Sequence, residues 1–129
     1  MNFMSARDGE NMKTVLLADD EPTVLMVLER ILRSAGYKVI AAESGVEARH
    51  RAEKHEGGID VLVSDIVMPG GSGVELAKQL QQSRPETKVL LISGFFPDGL
   101  EFLAGWKFLR KPFSPDGLTN AVESLLGAA

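Results

Sequence analysis

The chain has 129 residues, 44% apolar and 25% charged, the size and composition of one folded domain rather than of a chain disordered throughout. It has no cysteine, which excludes a disulfide scaffold, a thiolate metal site and a cysteine nucleophile. A net charge of −4 is a poor match for autonomous nucleic-acid binding, and no apolar run approaches the roughly 18 residues of a membrane span. The opening MNFMSARDGENMK lacks the apolar core of a signal peptide, so the cytoplasm is the expected compartment. Residues 1–12 read as a disordered leader.

Residues 15–18, VLLA, form a short continuous apolar run, which predicts a strand buried on both faces. Pro22 opens a helix, with Val24, Val27, Leu28, Ile31 and Ala35 as its apolar face and Gly36 as its stop. Residues 39–42 are a second strand. Ser44 caps a second helix, whose face of Val46, Ala48 and Ala52 is thin and which Gly57-Gly58 ends. Residues 59–64, IDVLVS, are a third strand, followed by a glycine-rich turn over 69–73. A third helix spans about 74–83 and stops before Pro85. Residues 89–92 and 106–110 are the fourth and fifth strands. Ser114 and Pro115 then start a last helix that buries Leu118, Ala121, Val122, Leu125 and Leu126. Buried strands alternating with helices imply an α/β, doubly wound parallel sheet with helices on both faces. The chain is too short for a closed eight-unit barrel.

In such open sheets, ligands bind beyond the carboxyl ends of the strands. Asp19 and Asp20 follow the first strand, Asp65 the third, Ser93 the fourth and Lys111 the fifth. Glu43 follows the second strand, an outer one, and is set aside. Three carboxylates placed together repel unless a cation joins them. Oxygen donors without histidine or cysteine favour Mg²⁺ over zinc, and Mg²⁺ leaves coordination positions for water and a phosphate oxygen. Asp65 can then act as a nucleophile toward phosphorus, with Lys111 and Ser93 holding the phosphoryl oxygens. Each residue alone reads as well as a helix cap, a turn former or a solvated charge. Their coincidence at four strand ends is what points to a site.

The acidic pair in LLADDEP, the aspartate of DIVMPGGSG, the hydroxyl of LLISG and the lysine of FLRKPF stand in the order and strand context of a known family. Residues 13–127 resemble the receiver domain of two-component response regulators, as a stand-alone or hybrid-kinase-type receiver over residues 13–129. The resemblance implies a flavodoxin-like (CheY-like) five-stranded sheet in the order 2-1-3-4-5. It implies that Asp65 is the phosphoacceptor and that Asp20 ligates Mg²⁺ directly, with Asp19 acting mainly through water. Asp65 and the backbone carbonyl of Val67 are further ligands. Ser93 is implied as the switch hydroxyl, Lys111 as the lysine paired with Asp65, and Phe108 as the aromatic switch; the Lys111-Pro112 bond is implied to be cis.

The implied partners are a histidine kinase or phosphotransfer protein and a downstream protein target, with no nucleic acid and no membrane; a homodimer is left open. The implied chemistry is autocatalytic phosphoacceptance and self-dephosphorylation, not turnover of an external substrate. Val67 and Phe95 stand at the two variable positions that flank the phosphorylation site in receivers, and neither can hydrogen-bond an attacking water; by analogy with the family, the resemblance implies slow self-dephosphorylation, over hours.

The chain departs from the family pattern between Ser93 and Phe108, where only fourteen residues intervene. Pro97, Gly99 and Gly105 predict a shortened fourth helix of about two turns or less, or an irregular loop. Five of the eight aromatic residues fall between Phe95 and Phe108. They either cover the adjacent strands, or Phe95, Phe96 or Trp106 forms part of a docking patch. His50 and His55 lie away from the strand ends, and GGSG fits neither a P-loop nor a dinucleotide fingerprint. Two rivals remain: a non-phosphorylated pseudo-receiver that acts as an interaction module, and a metal-dependent phosphohydrolase, for which the chain offers no cap to enclose a substrate.

Overall fold

The computed structural model describes residues 12–95 and 105–127. Five strands, β1 (Thr14–Ala18), β2 (Lys38–Ala42), β3 (Val61–Asp65), β4 (Lys88–Ser93) and β5 (Trp106–Arg110), are interleaved with helices α1 (Pro22–Ser34), α2 (Gly45–Lys54), α3 (Gly73–Ser83) and α4 (Pro115–Leu125). Every strand pair is parallel and the order is β2-β1-β3-β4-β5. All carboxyl ends therefore share one edge, and the order reverses between β1 and β3, the place where open sheets of this kind bind ligands.

The two-residue period of the strands sorts the core into two layers. Val15 and Leu17 of β1, Val61 and Val63 of β3, and Leu90 and Ile92 of β4 meet Leu25, Leu28 and Leu32 of α1 and Leu118, Ala121 and Val122 of α4. Leu16, Ala18, Leu62, Val89 and Leu91 face the other way, onto Ala48 and Ala52 of α2 and Leu76, Ala77 and Leu80 of α3. β1 and β3 are buried at every residue, as unbroken apolar runs require.

Two helix faces differ from the sequence reading. The buried stripe of α1 is Leu25, Leu28 and Leu32, with Val24 and Ile31 at its margin; Val27 is 49% exposed and Ala35 is exposed. Residues 24–28 are all apolar, so periodicity does not select a face and the sheet does. Val46 of α2 is 68% exposed, leaving two alanines as that helix's core contribution.

Such a thin face needs support at both ends. Ser44 accepts a hydrogen bond from the Glu47 N–H at 3.0 Å, and Arg84 donates to the carbonyls of Ala52, His55 and Gly57 at 2.8–3.0 Å. That guanidinium satisfies the last turn of α2, which ends at Lys54, ahead of the glycine pair. At the end of α1, Gly36 takes φ 100°, the N–H of Tyr37 donates to Leu32 O and that of Gly36 to Arg33 O. Both bonds of a Schellman cap are present.

Ser114 caps α4 through the Gly117 N–H, as expected. The expected leader lies outside the described residues up to position 11, and of the segment between Ser93 and Phe108, expected as a shortened helix or an irregular loop, residues 96–104 lie outside them. Among the described residues no helix is long and apolar enough to cross a membrane.

Candidate functional site

The carboxylates are presented by the two central strands. Asp19 leaves β1 and is 1% exposed; its N–H donates to Ala42 O at 3.1 Å, and its Oδ1 accepts from the Glu21 N–H at 2.9 Å. Asp20 beside it is half-buried. Asp65 is the last residue of β3 and is 9% exposed. Its Oδ1 accepts from the Val67 N–H at 3.2 Å and its Oδ2 from Lys111 Nζ at 3.0 Å. Each of the three aspartates offers an oxygen, and these lie within 4.8 Å of one another.

Burial pushes the Asp19 carboxyl above its ordinary pKa, and the charges of Asp65 and Asp20 push the same way; the Glu21 N–H and Lys111 oppose this incompletely. Burial pulls Lys111 down, but its hydrogen bond to Asp65 and the charges of Asp65, Asp19 and Glu21 outweigh it, so its pKa is raised. Lys111 is therefore an ammonium at neutral pH. Three carboxylates beside one ammonium leave excess negative charge at a largely buried strand edge. A divalent cation offsets that charge. The all-oxygen donor set, with no histidine or sulfur, suits Mg²⁺.

Lys111 is placed by β5: its N–H donates to Ser93 O at 3.0 Å, and the Lys111-Pro112 bond is cis, as the resemblance implied. Asp65 is placed partly by a glycine. A Cβ on Gly73 would lie 2.2 Å from Asp65 O, so the first turn of α3 packs directly onto the strand end, and the Gly73 N–H donates to Ile66 O at 2.8 Å.

Ser93 stands at the neighbouring strand end and is 4% exposed, but its hydroxyl is engaged elsewhere. It donates to Phe95 O at 2.7 Å and accepts from the Phe95 N–H at 3.1 Å. Phe108 is half-buried and packs beside Trp106 on the layer formed with α2 and α3. Trp106 also donates to Gln81 Oε1 at 3.2 Å. These two aromatics thus cover the sheet. Phe95 does not: it is 74% exposed, and Val67 71%. Phe96 lies outside the described residues.

The structure thus brings Asp19, Asp20, Asp65 and Lys111 together and holds Ser93 at the neighbouring strand end with its hydroxyl bonded to the Phe95 backbone. Sequence reasoning missed the Glu21 and Val67 amides that orient the carboxylates, the Phe95 backbone on Ser93, and Gly73. Of these, Gly73 left a trace, as a glycine at a helix start behind a predicted site residue.

A family model described as the response regulator receiver domain matches residues 15–123. The chain belongs to that family. Receiver domains are signalling modules of bacterial two-component systems. This receiver is 40% identical over 125 residues to the sensor kinase CckA of Brucella abortus, covering 94% of the chain and 13% of that protein. It is 36% identical over 123 residues to the response regulator receiver protein CpdR of the same organism, covering 92% of the chain and 100% of CpdR. The chain therefore spans a small part of one relative and the whole length of the other.

Among solved structures, the receiver domain of the hybrid histidine kinase CckA aligns with a TM-score of 0.77 at 36% identity, over 88% of this chain and 98% of that one. The response regulator TrrA of Thermotoga maritima, in complex with Mg²⁺-BeF, aligns with a TM-score of 0.77 at 32% identity, over 88% and 99%.

Proposed function

We propose that this receiver accepts a phosphoryl group on Asp65 from a histidine kinase or phosphotransfer protein and signals in the cytoplasm through contact with a downstream protein. The observation that carries the reading is the 3.0 Å contact of Lys111 Nζ with Asp65 Oδ2, beside two further aspartates at the carboxyl end of β1. The Mg²⁺-BeF complex of the relative TrrA supports a site of this kind. The names of CckA and CpdR support a phosphorelay setting.

An Asp65 oxygen attacks the donor phosphorus, forming an O–P bond as the P–N bond to the donor imidazole breaks. The electron pair stays on the imidazole nitrogen, which takes a proton from solvent. The Val67 N–H and Lys111 hold the carboxylate in one orientation for that attack, and Lys111 stays charged to meet the oxygens of the transferred group. Asp20, Asp65 and the Val67 carbonyl would hold Mg²⁺ directly and Asp19 through water. When bound, the ion supplies positive charge shared between the carboxylates and a phosphoryl oxygen. Ser93 then exchanges Phe95 for the phosphoryl group, and Phe108 follows as the aromatic switch. Val67 and Phe95, apolar and exposed, offer an attacking water no side-chain hydrogen bond, so the acyl phosphate persists for hours.

Intact-protein mass after incubation with Mg²⁺ and acetyl phosphate, beside an Asp65→Asn variant, tests the reading. A gain of one phosphoryl mass in the parent alone is expected. No gain in either folded protein would favour the non-phosphorylated interaction module.

A further inference from the structure

A second set of bonds converges on the turn after β4. Ser93 and Arg110 are register partners on β4 and β5. Arg110 Nη1 donates to Gly94 O at 3.3 Å, the carbonyl midway through the turn that the Ser93 hydroxyl closes onto Phe95. A serine hydroxyl has one proton to donate. If Ser93 donates to a phosphoryl oxygen on Asp65, its 2.7 Å bond to Phe95 O must break. On that reading the turn would have two arrangements, the one closed on Phe95 that is seen here and one open toward Asp65. Arg110 bonds to the closed arrangement, at the carbonyl of the residue between Ser93 and Phe95.

We infer that Arg110 is a positioning residue that braces the Ser93–Phe95 turn in its closed arrangement and so sets how readily the receiver switches. The inference rests on Asp65 being the phosphoacceptor. A group that stabilises the closed turn lowers the population able to engage a phosphoryl group, and the apparent affinity for a phosphoryl mimic falls by that fraction. Removing the brace raises it. The simpler alternative has the opposite sign: if Arg110 acts as a positive charge near the site, removing it weakens binding of an anion.

The experiment is a beryllofluoride titration of the full chain at saturating Mg²⁺, for the parent, Arg110→Ala and Arg110→Lys. A separate Mg²⁺ titration and backbone amide spectra accompany it. Arg110→Ala is expected to bind beryllofluoride about two- to tenfold more tightly, the span one hydrogen bond allows, with unchanged affinity for Mg²⁺ alone. Arg110→Lys should fall between it and the parent. In the ligand-free Ala variant, the amide signals of Gly94 and Phe95 should lie part-way to their beryllofluoride-bound positions, a change that a general loss of stability would not produce. Weaker or unchanged beryllofluoride binding, or an equal change in both titrations, overturns the inference. Failure of the parent itself to bind beryllofluoride overturns the reading of Asp65, and this inference with it.

Discussion

Asp19 and Asp65 leave β1 and β3, strands buried at every residue, and are held by backbone N–H donors, by Lys111 and by the close approach of Gly73 to Asp65 O. Ser93 leaves β4 into a turn closed by its own hydroxyl and an exposed arginine. These contacts hold the carboxylate half against relieving its own repulsion, an arrangement suited to binding a cation. On the proposed function, the hydroxyl half would exchange its bonds to Phe95 for one to the phosphoryl group, responding to what the first half binds. A site proposed both to hold and to report needs both kinds of construction, and here they lie on neighbouring strands.

The comparison breaks most visibly at Lys111, the contact that joins the ammonium to the fixed half. Lys111→Ala should slow phosphorylation by acetyl phosphate about 10²- to 10³-fold, the usual loss for one preorganised donor. Affinity for Mg²⁺ should be kept or improved, because a competing cation leaves. Phosphorylation rates followed by intact mass check this; a parent-like rate would remove Lys111 from the chemistry. The rigidity of the same half is tested at Gly73. Gly73→Ala places a methyl group against the Asp65 carbonyl and should destabilise the fold by about 1–3 kcal/mol, as overpacking does, read from urea unfolding. Stability within error of the parent would mean that the strand end is free to move.

The fixed half was also the more legible one. Unbroken apolar runs announced β1 and β3, and the residues that follow such strands in an open sheet had to be Asp19, Asp20 and Asp65. What pattern reading could not supply was orientation. α1 carries apolar side chains at five successive positions, 24–28, so its buried face was set by contact with the sheet and Val27 was misplaced. The groups that aim the site residues, the N–H of Glu21, the N–H of Val67 and the peptide of Phe95, are backbone atoms that every residue but proline carries. No side-chain pattern marks them, so the closure of the Ser93 hydroxyl onto Phe95 became visible only in three dimensions.

The smallest expected effect sharpens the comparison most, because it reads the cost of holding a buried charge in the fixed half. The Asp19 carboxyl is raised above its ordinary pKa, chiefly by burial and then by Asp65 and Asp20 against the opposing bond from Glu21. A carboxyl whose pKa is higher in the folded state binds its proton more readily there, so the folded state is favoured at low pH. That advantage is lost as pH rises through the folded pKa. Above it, the buried charge opposes folding. Asp19→Asn should therefore stabilise the metal-free protein at neutral pH by about 0.5–1 kcal/mol, the usual return on relieving a strained functional site. The two proteins should converge in melting temperature as pH falls below the ordinary carboxylate range. Millimolar Mg²⁺ should reverse the order at neutral pH, raising the parent's melting temperature more than the variant's, because a ligand stabilises the form that binds it better. A variant less stable than the parent without Mg²⁺ would mean that the Glu21 N–H bond outweighs the burial and repulsion at Asp19.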